Sequence, residues 1–155
     1  MKKVCIALVA CFSLGCSTWV DEMEKTHTAM LELFEQAAEK ECECWDEGDF
    51  FDECMADLEH YLSEFRSETA CILDAAKSYE GPNPPDEFRE YAKCVRTAFN
   101  DYAACLNDVA CDGFLEDACG HLDTDNCDSI VTDELRTWSD DFEDYLETKD
   151  CYGMF

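Results

Sequence analysis

Ser78-Tyr79-Glu80-Gly81-Pro82-Asn83-Pro84-Pro85-Asp86-Glu87 divides two long helical patterns and sets the architecture of this chain. Gly81 suits the position just past a helix end, and the prolines that follow cannot continue one. Asn83 as a cap, Pro84 in a first turn and then Asp86 and Glu87 read as the next helix start. Upstream, Phe51, Cys54, Met55, Leu58, Tyr61, Leu62, Phe65, Ile72, Ala76 and Tyr79 recur at steps of three and four. That spacing puts them on one face of a helix of about thirty residues, with a kink expected near Ser67-Glu68-Thr69. Downstream, Phe88, Tyr91, Ala92, Val95, Phe99, Tyr102, Leu106 and Val109 make a second apolar stripe, which Asp112-Gly113 should end.

Working outward, residues 18–45 carry Met23, His27, Met30, Phe34, Ala37, Glu41 and Cys44 on one helical face, widened by Leu31, Leu33 and Ala38. Asp46-Glu47-Gly48-Asp49 breaks that pattern. Toward the other end, a short helix over residues 114–119 should stop at Gly120, and residues 121–129 are polar and loop-like. A last amphipathic helix holds Ile130, Val131, Leu135, Trp138, Phe142, Tyr145 and Leu146. No stretch alternates with the period of two that a half-buried strand requires. The expectation is an all-α, disulfide-stapled bundle of about four to five helices.

The first residues set the compartment. Lys2 and Lys3 precede the apolar run of residues 4–14, which is too short for a bilayer span of about 20 residues. A positive start, a short apolar run and a small residue before the cut form a secretory signal, here residues 1–15. The Leu14-Gly15-Cys16 stretch resembles the lipobox of bacterial lipoproteins, in which the chain is cut before a cysteine that then carries acyl chains. The resemblance implies Gly15 before the cut, Cys16 lipidated, and Ser17 at the second position directing the chain to the outer membrane. Leu8-Val9-Ala10-Cys11 fits the lipobox pattern more closely, but a cut there would leave an apolar core of only about seven residues. The cysteine-rich, acidic, helical remainder resembles uncharacterised lipoproteins of predatory and related soil bacteria, and that resemblance implies no activity.

Cysteine parity supports the same cut. Of 13 cysteines, Cys5 and Cys11 leave with the signal and Cys16 is acylated, leaving ten. Ten thiols close five disulfides outside the cell, whereas an ordinary cut before Cys16 would strand one. In an antiparallel helix hairpin, residues equidistant from the turn face each other. Symmetry about the turns therefore pairs Cys71 with Cys94, Cys44 with Cys54, and Cys105 with Cys119. Cys42, Cys111, Cys127 and Cys151 are left without an assignment. The Cys44/Cys54 and Cys94/Cys105 intervals also bear a superficial resemblance to twin Cys-x9-Cys helical hairpins, but the second interval is one residue longer.

Charge excludes several functions. Loss of Lys2 and Lys3 with the signal takes the net charge from −27 to −29 over a single domain, residues 16–155. Such a surface repels nucleic-acid phosphates and anionic lipid headgroups. No Gly-rich phosphate loop, Gly-x-Ser-x-Gly or His-Glu-x-x-His is present, so no catalytic residue is assigned and no cofactor is expected. Asp123, Asp125, Ile130 and Glu134 match positions 1, 3, 8 and 12 of an EF-hand calcium loop, while Cys127 and Asp128 break positions 5 and 6. Cys42-Glu43-Cys44 could hold a soft metal as thiolates, but export favours disulfides. His27, His60 and His121 show no ligand spacing. The expected protein is an envelope lipoprotein anchored to the membrane through Cys16, a binding or structural module with an envelope partner rather than an enzyme. The alternatives are a calcium binder using Asp123, Asp125 and Glu134, and a freely secreted acidic effector.

Overall fold

The computed structural model describes residues 18–44, 50–111 and 119–151. Four α-helices and one 3-10 helix lie wholly within the described residues: α1 (Trp19–Cys44), α2 (Phe51–Ser78), α3 (Glu87–Asp108), the 3-10 helix (Asp125–Ile130) and α4 (Asp133–Thr148). There is no strand among the described residues. The bundle is all-α and stapled by disulfides, as the periodicity indicated. The short helix expected over residues 114–119 lies almost wholly outside the described residues, as does the break at Asp46-Glu47-Gly48-Asp49.

Two helix starts, those of α1 and α4, carry side-chain caps. The Thr18 hydroxyl accepts the Asp21 N–H at 3.2 Å while the Asp21 carboxylate accepts the Thr18 N–H at 2.7 Å. This reciprocal box satisfies two N–H groups at the start of α1 that have no partner within the helix. Thr132 caps α4 by accepting the Leu135 N–H. The helix after the proline run begins later than the sequence suggests. Asp86 occupies the cap position and Asn83 does not, because residues 82–85 stay outside the helix. α2 runs unbroken through Ser67, Glu68 and Thr69.

α1 is the central element, packing along both α2 and α3, while α2 and α3 share no comparable contact. Two cores result. One joins Met23 of α1, Ile72, Ala75 and Ala76 of α2, and Leu135, Trp138, Phe142 and Leu146 of α4. Its rings interlock: Trp138 stacks on Phe142 at 5.4 Å, and Trp19 meets both edge-on. The Trp138 indole N–H donates to the Pro82 carbonyl at 2.9 Å, tying the proline turn to α4. The second core holds Leu33 of α1, Val95, Phe99 and Leu106 of α3, and Cys127 of the 3-10 helix.

The disulfides are Cys42–Cys54, Cys44–Cys111, Cys71–Cys151, Cys94–Cys127 and Cys105–Cys119. The last is the pairing symmetry anticipates. Cys71–Cys94 and Cys44–Cys54 are not formed. Because α1 lies between α2 and α3, these two helices do not form the hairpin on which a Cys71–Cys94 bridge depends. Cys42 is fully buried against α2. Cys44, two residues and about 200° further round the helix, turns instead toward the end of α3.

At the end of α4, the Cys151 N–H bonds the Leu146 carbonyl and the Asp150 N–H bonds that of Glu147. Asp150 takes the left-handed conformation, φ 56°. This Schellman pattern folds the chain back and delivers Cys151 to Cys71.

Candidate functional site

The two stripes read from the sequence, on α1 and on α3, pack together around Leu33 and Phe99 but do not close along their whole length. Between them lies a cleft of about 360 Å³. Met23, His27 and Met30 line it from α1, and Phe88, Tyr91 and Val95 from α3, with Leu122 and Thr124 at its edge. Ligand pockets run from about 300 to 1,000 Å³ and are mostly apolar, with a few polar groups. A buried apolar cavity of about 150 Å³ already admits benzene. This cleft has room for roughly two such rings, or for an alkyl chain.

Its edge is fixed by a part-buried ion pair next to Thr26. The Arg96 guanidinium of α3 meets the Glu22 carboxylate of α1 at 2.8 Å, and also donates to the Glu22 carbonyl and the Thr26 hydroxyl. Lys25 adds a second contact to the same carboxylate at 2.9 Å. Glu22 is buried, and such charges are tolerated only when paired and hydrogen-bonded. Arg96 therefore spends its charge on α1 and offers none to the cleft.

Among the described residues no Asp, Glu, Lys or Arg lines the cleft, and its titratable groups are His27 and Tyr91. That imidazole is buried, and burial pulls its pKa from 6.5 down to about 4. At neutral pH it is uncharged. Burial, and after it Asp128, push the Tyr91 phenol up, so it is neutral as well. Uncharged walls, two methionines able to adapt their shape and several aromatic edges suit an apolar guest without a formal charge.

The residues singled out for calcium are not assembled. Asp123 accepts the Asp125 backbone N–H at 2.9 Å, Asp125 opens the 3-10 helix, and Glu134 sits in the first turn of α4. Among the described residues no group of three or more His, Cys, Asp or Glu could hold a metal ion. Cys127, at the fifth loop position, is buried and bonded to Cys94, and the chain around it winds into a 3-10 helix rather than a ligand loop.

Cys42 and Cys44 enter separate disulfides. His27, His60 and His121 have different settings, the first buried and the other two exposed. Cys16 lies outside the described residues, and no described helix is long and apolar enough to cross a membrane. The cleft itself escaped the sequence, although its signal was there: Met23, His27 and Met30 at helical spacing opposite Phe88, Tyr91 and Val95. No family model, curated protein or solved structure matches the chain.

Proposed function

We propose that this chain is an exported binding module, held at the bacterial outer membrane by acyl chains on Cys16, that takes a small uncharged apolar molecule between α1 and α3. The cleft of about 360 Å³, whose lining among the described residues is uncharged, carries the reading. Five disulfides support export, since such bonds persist in oxidising compartments. α1 begins at Trp19, three residues beyond Cys16, so a lipid there would hold the domain close to the membrane surface.

The test is fluorescence titration with the neutral dye 1-N-phenylnaphthylamine. Saturable, single-site binding is expected, and Met30→Trp, which fills the cleft, should weaken it by about tenfold, the contact of roughly two methylenes. Decanol should displace the dye and decanoate should not. Binding that never saturates, or is untouched in both Met30→Trp and Leu122→Trp variants that keep their helicity, would remove the cleft as the site. Intact mass of the mature protein tests the anchor: an unmodified chain beginning elsewhere would remove Cys16 lipidation.

A further inference from the structure

A second concavity, on a different side of α1, has another character. Phe34, Ala37, Ala38 and Glu41 follow one another on α1 at helical spacing, and Leu58, Tyr61, Leu62 and Phe65 do so on α2. Where these stripes meet they leave a groove of about 490 Å³. Ala37 and Ala38 are the smallest side chains in its lining. Phe34 touches Phe65 edge-on at 4.6 Å yet stays 44 % exposed, and Tyr61 is 67 % exposed. Two exposed rings beside a charge-rimmed trench give an apolar floor and a polar edge to anything seated there. The rim is of one sign, for Glu41, Glu64 and Glu68 line the groove and, among the described residues, no lysine or arginine does. Neighbouring cations are already engaged, Lys40 with Glu43 and Arg66 with Glu35 and Glu59.

We propose that this groove docks a cationic amphipathic helix of a partner protein. Apolar residues spaced i, i+3, i+4 and i+7 would fill the trench beside Tyr61 and Phe65, with lysines or arginines set against Glu41, Glu64 and Glu68. Charge selects this occupant. A second copy would bring another −27 to the contact, and an anionic membrane would repel the same surface. A partner with a basic helix face gains attraction to the rim and burial in the floor together.

The experiment uses the oxidised, exported chain at 0.15 M salt and a labelled synthetic helix of about five turns, with leucine on one face and lysine on the other. Anisotropy should show saturable binding, weakened about tenfold by Tyr61→Ser and by the Glu64→Lys/Glu68→Lys pair. A lysine–serine peptide of equal charge should bind at least about tenfold more weakly. The control is Asp140→Lys/Glu143→Lys on α4, an identical charge change far from the groove in sequence, which should leave most of the affinity. Phe34 is left alone because it also borders the α1–α3 cleft, so dye binding in the Tyr61→Ser variant should stay unchanged. Equal losses from the groove and control reversals would reduce the effect to diffuse attraction and overturn the proposal. So would equal binding of the lysine–serine peptide, or none of the leucine–lysine one. Phosphatidylcholine vesicles captured through Tyr61 would assign the groove to a lipid surface and overturn it too.

Discussion

His27 loses its proton near pH 4 in the folded chain because burial disfavours the imidazolium. Unfolded, the same ring titrates near 6.5. Between these values the unfolded state binds a proton that the folded state refuses. Stability from this group is therefore intact above pH 6.5, falls as pH drops toward 4, and stops falling once both states are protonated. The full loss is about 3 kcal/mol. Carboxylates also titrate near the lower end of this window, so the comparison is with His27→Met. From pH 7 to 4, urea unfolding should show the parent losing up to about 3 kcal/mol relative to that variant; a constant difference would mean an ordinary histidine. Gly81 is a second position where one atom decides. Its φ is not in the left-handed region, so it is not the helix-ending glycine its place in the sequence suggests. Its role is space: a β-carbon there would run into the Tyr79 ring, which is held edge-on by Trp19 and Phe142. Gly81→Ala should cost about 1–3 kcal/mol as an overpacking change, where an unhindered glycine replacement would stabilise slightly. A raised urea midpoint would refute that.

Disulfides act between elements, and the loops they close differ widely. Cys71–Cys151 spans 80 residues and ties α2 to the end of the chain, whereas Cys105–Cys119 spans 14. Constraint of the unfolded chain grows with loop length, to about 3 kcal/mol for the short loop and about 4–5 for the long one. Cys71→Ser/Cys151→Ser should therefore lower stability more than Cys105→Ser/Cys119→Ser under the same urea titration. The reverse order would show that α4 is held by its aromatic packing on Trp19 and Tyr79, with the bridge adding little. The connectivity is open to a direct check, because cleavage after Glu43 separates Cys42 from Cys44. A non-reduced digest should then contain Cys42 linked to Cys54 and Cys44 linked to Cys111.

At the scale of the whole molecule, a net charge of −27 opposes compaction, and the staples act against it. A domain is stable by only about 5–15 kcal/mol, so five bridges rival that total. The oxidised chain should stay helical in about 10 mM buffer, where the Debye length is about 30 Å. Reduced and alkylated, it should lose helix there and regain part of it at 0.15 M salt, where screening shortens that length to about 8 Å. Acidification should restore helix in the same way by neutralising carboxylates near pH 4. Circular dichroism of the alkylated chain is the measurement. Full helicity at low salt and pH 7 would mean that the two cores suffice alone.

Helical class, the main apolar stripes and the start of α1 were legible in the sequence, because they depend on local periods of three and four and, at Thr18 and Asp21, on a nearby capping pair. All ten described cysteines are in disulfides, as their even number led one to expect. The partners did not follow. Cys71 lies as far from the proline turn as Cys94, yet joins Cys151, because α1 sits between α2 and α3 and no local pattern reveals which helix occupies the middle. The cap of α3 falls at Asp86 rather than Asn83, and the Pro82 carbonyl ahead of it is held by the Trp138 indole, a contact 56 residues away. The same reason hid the cleft. Met23 and Phe88 each look like ordinary core residues in their own helices, and only the spacing of α1 from α3, pinned by Glu22 and Arg96, leaves a space between them. Periodicity tells each residue which way to face; the packing of one helix on another decides whether what it faces is a neighbour or a void.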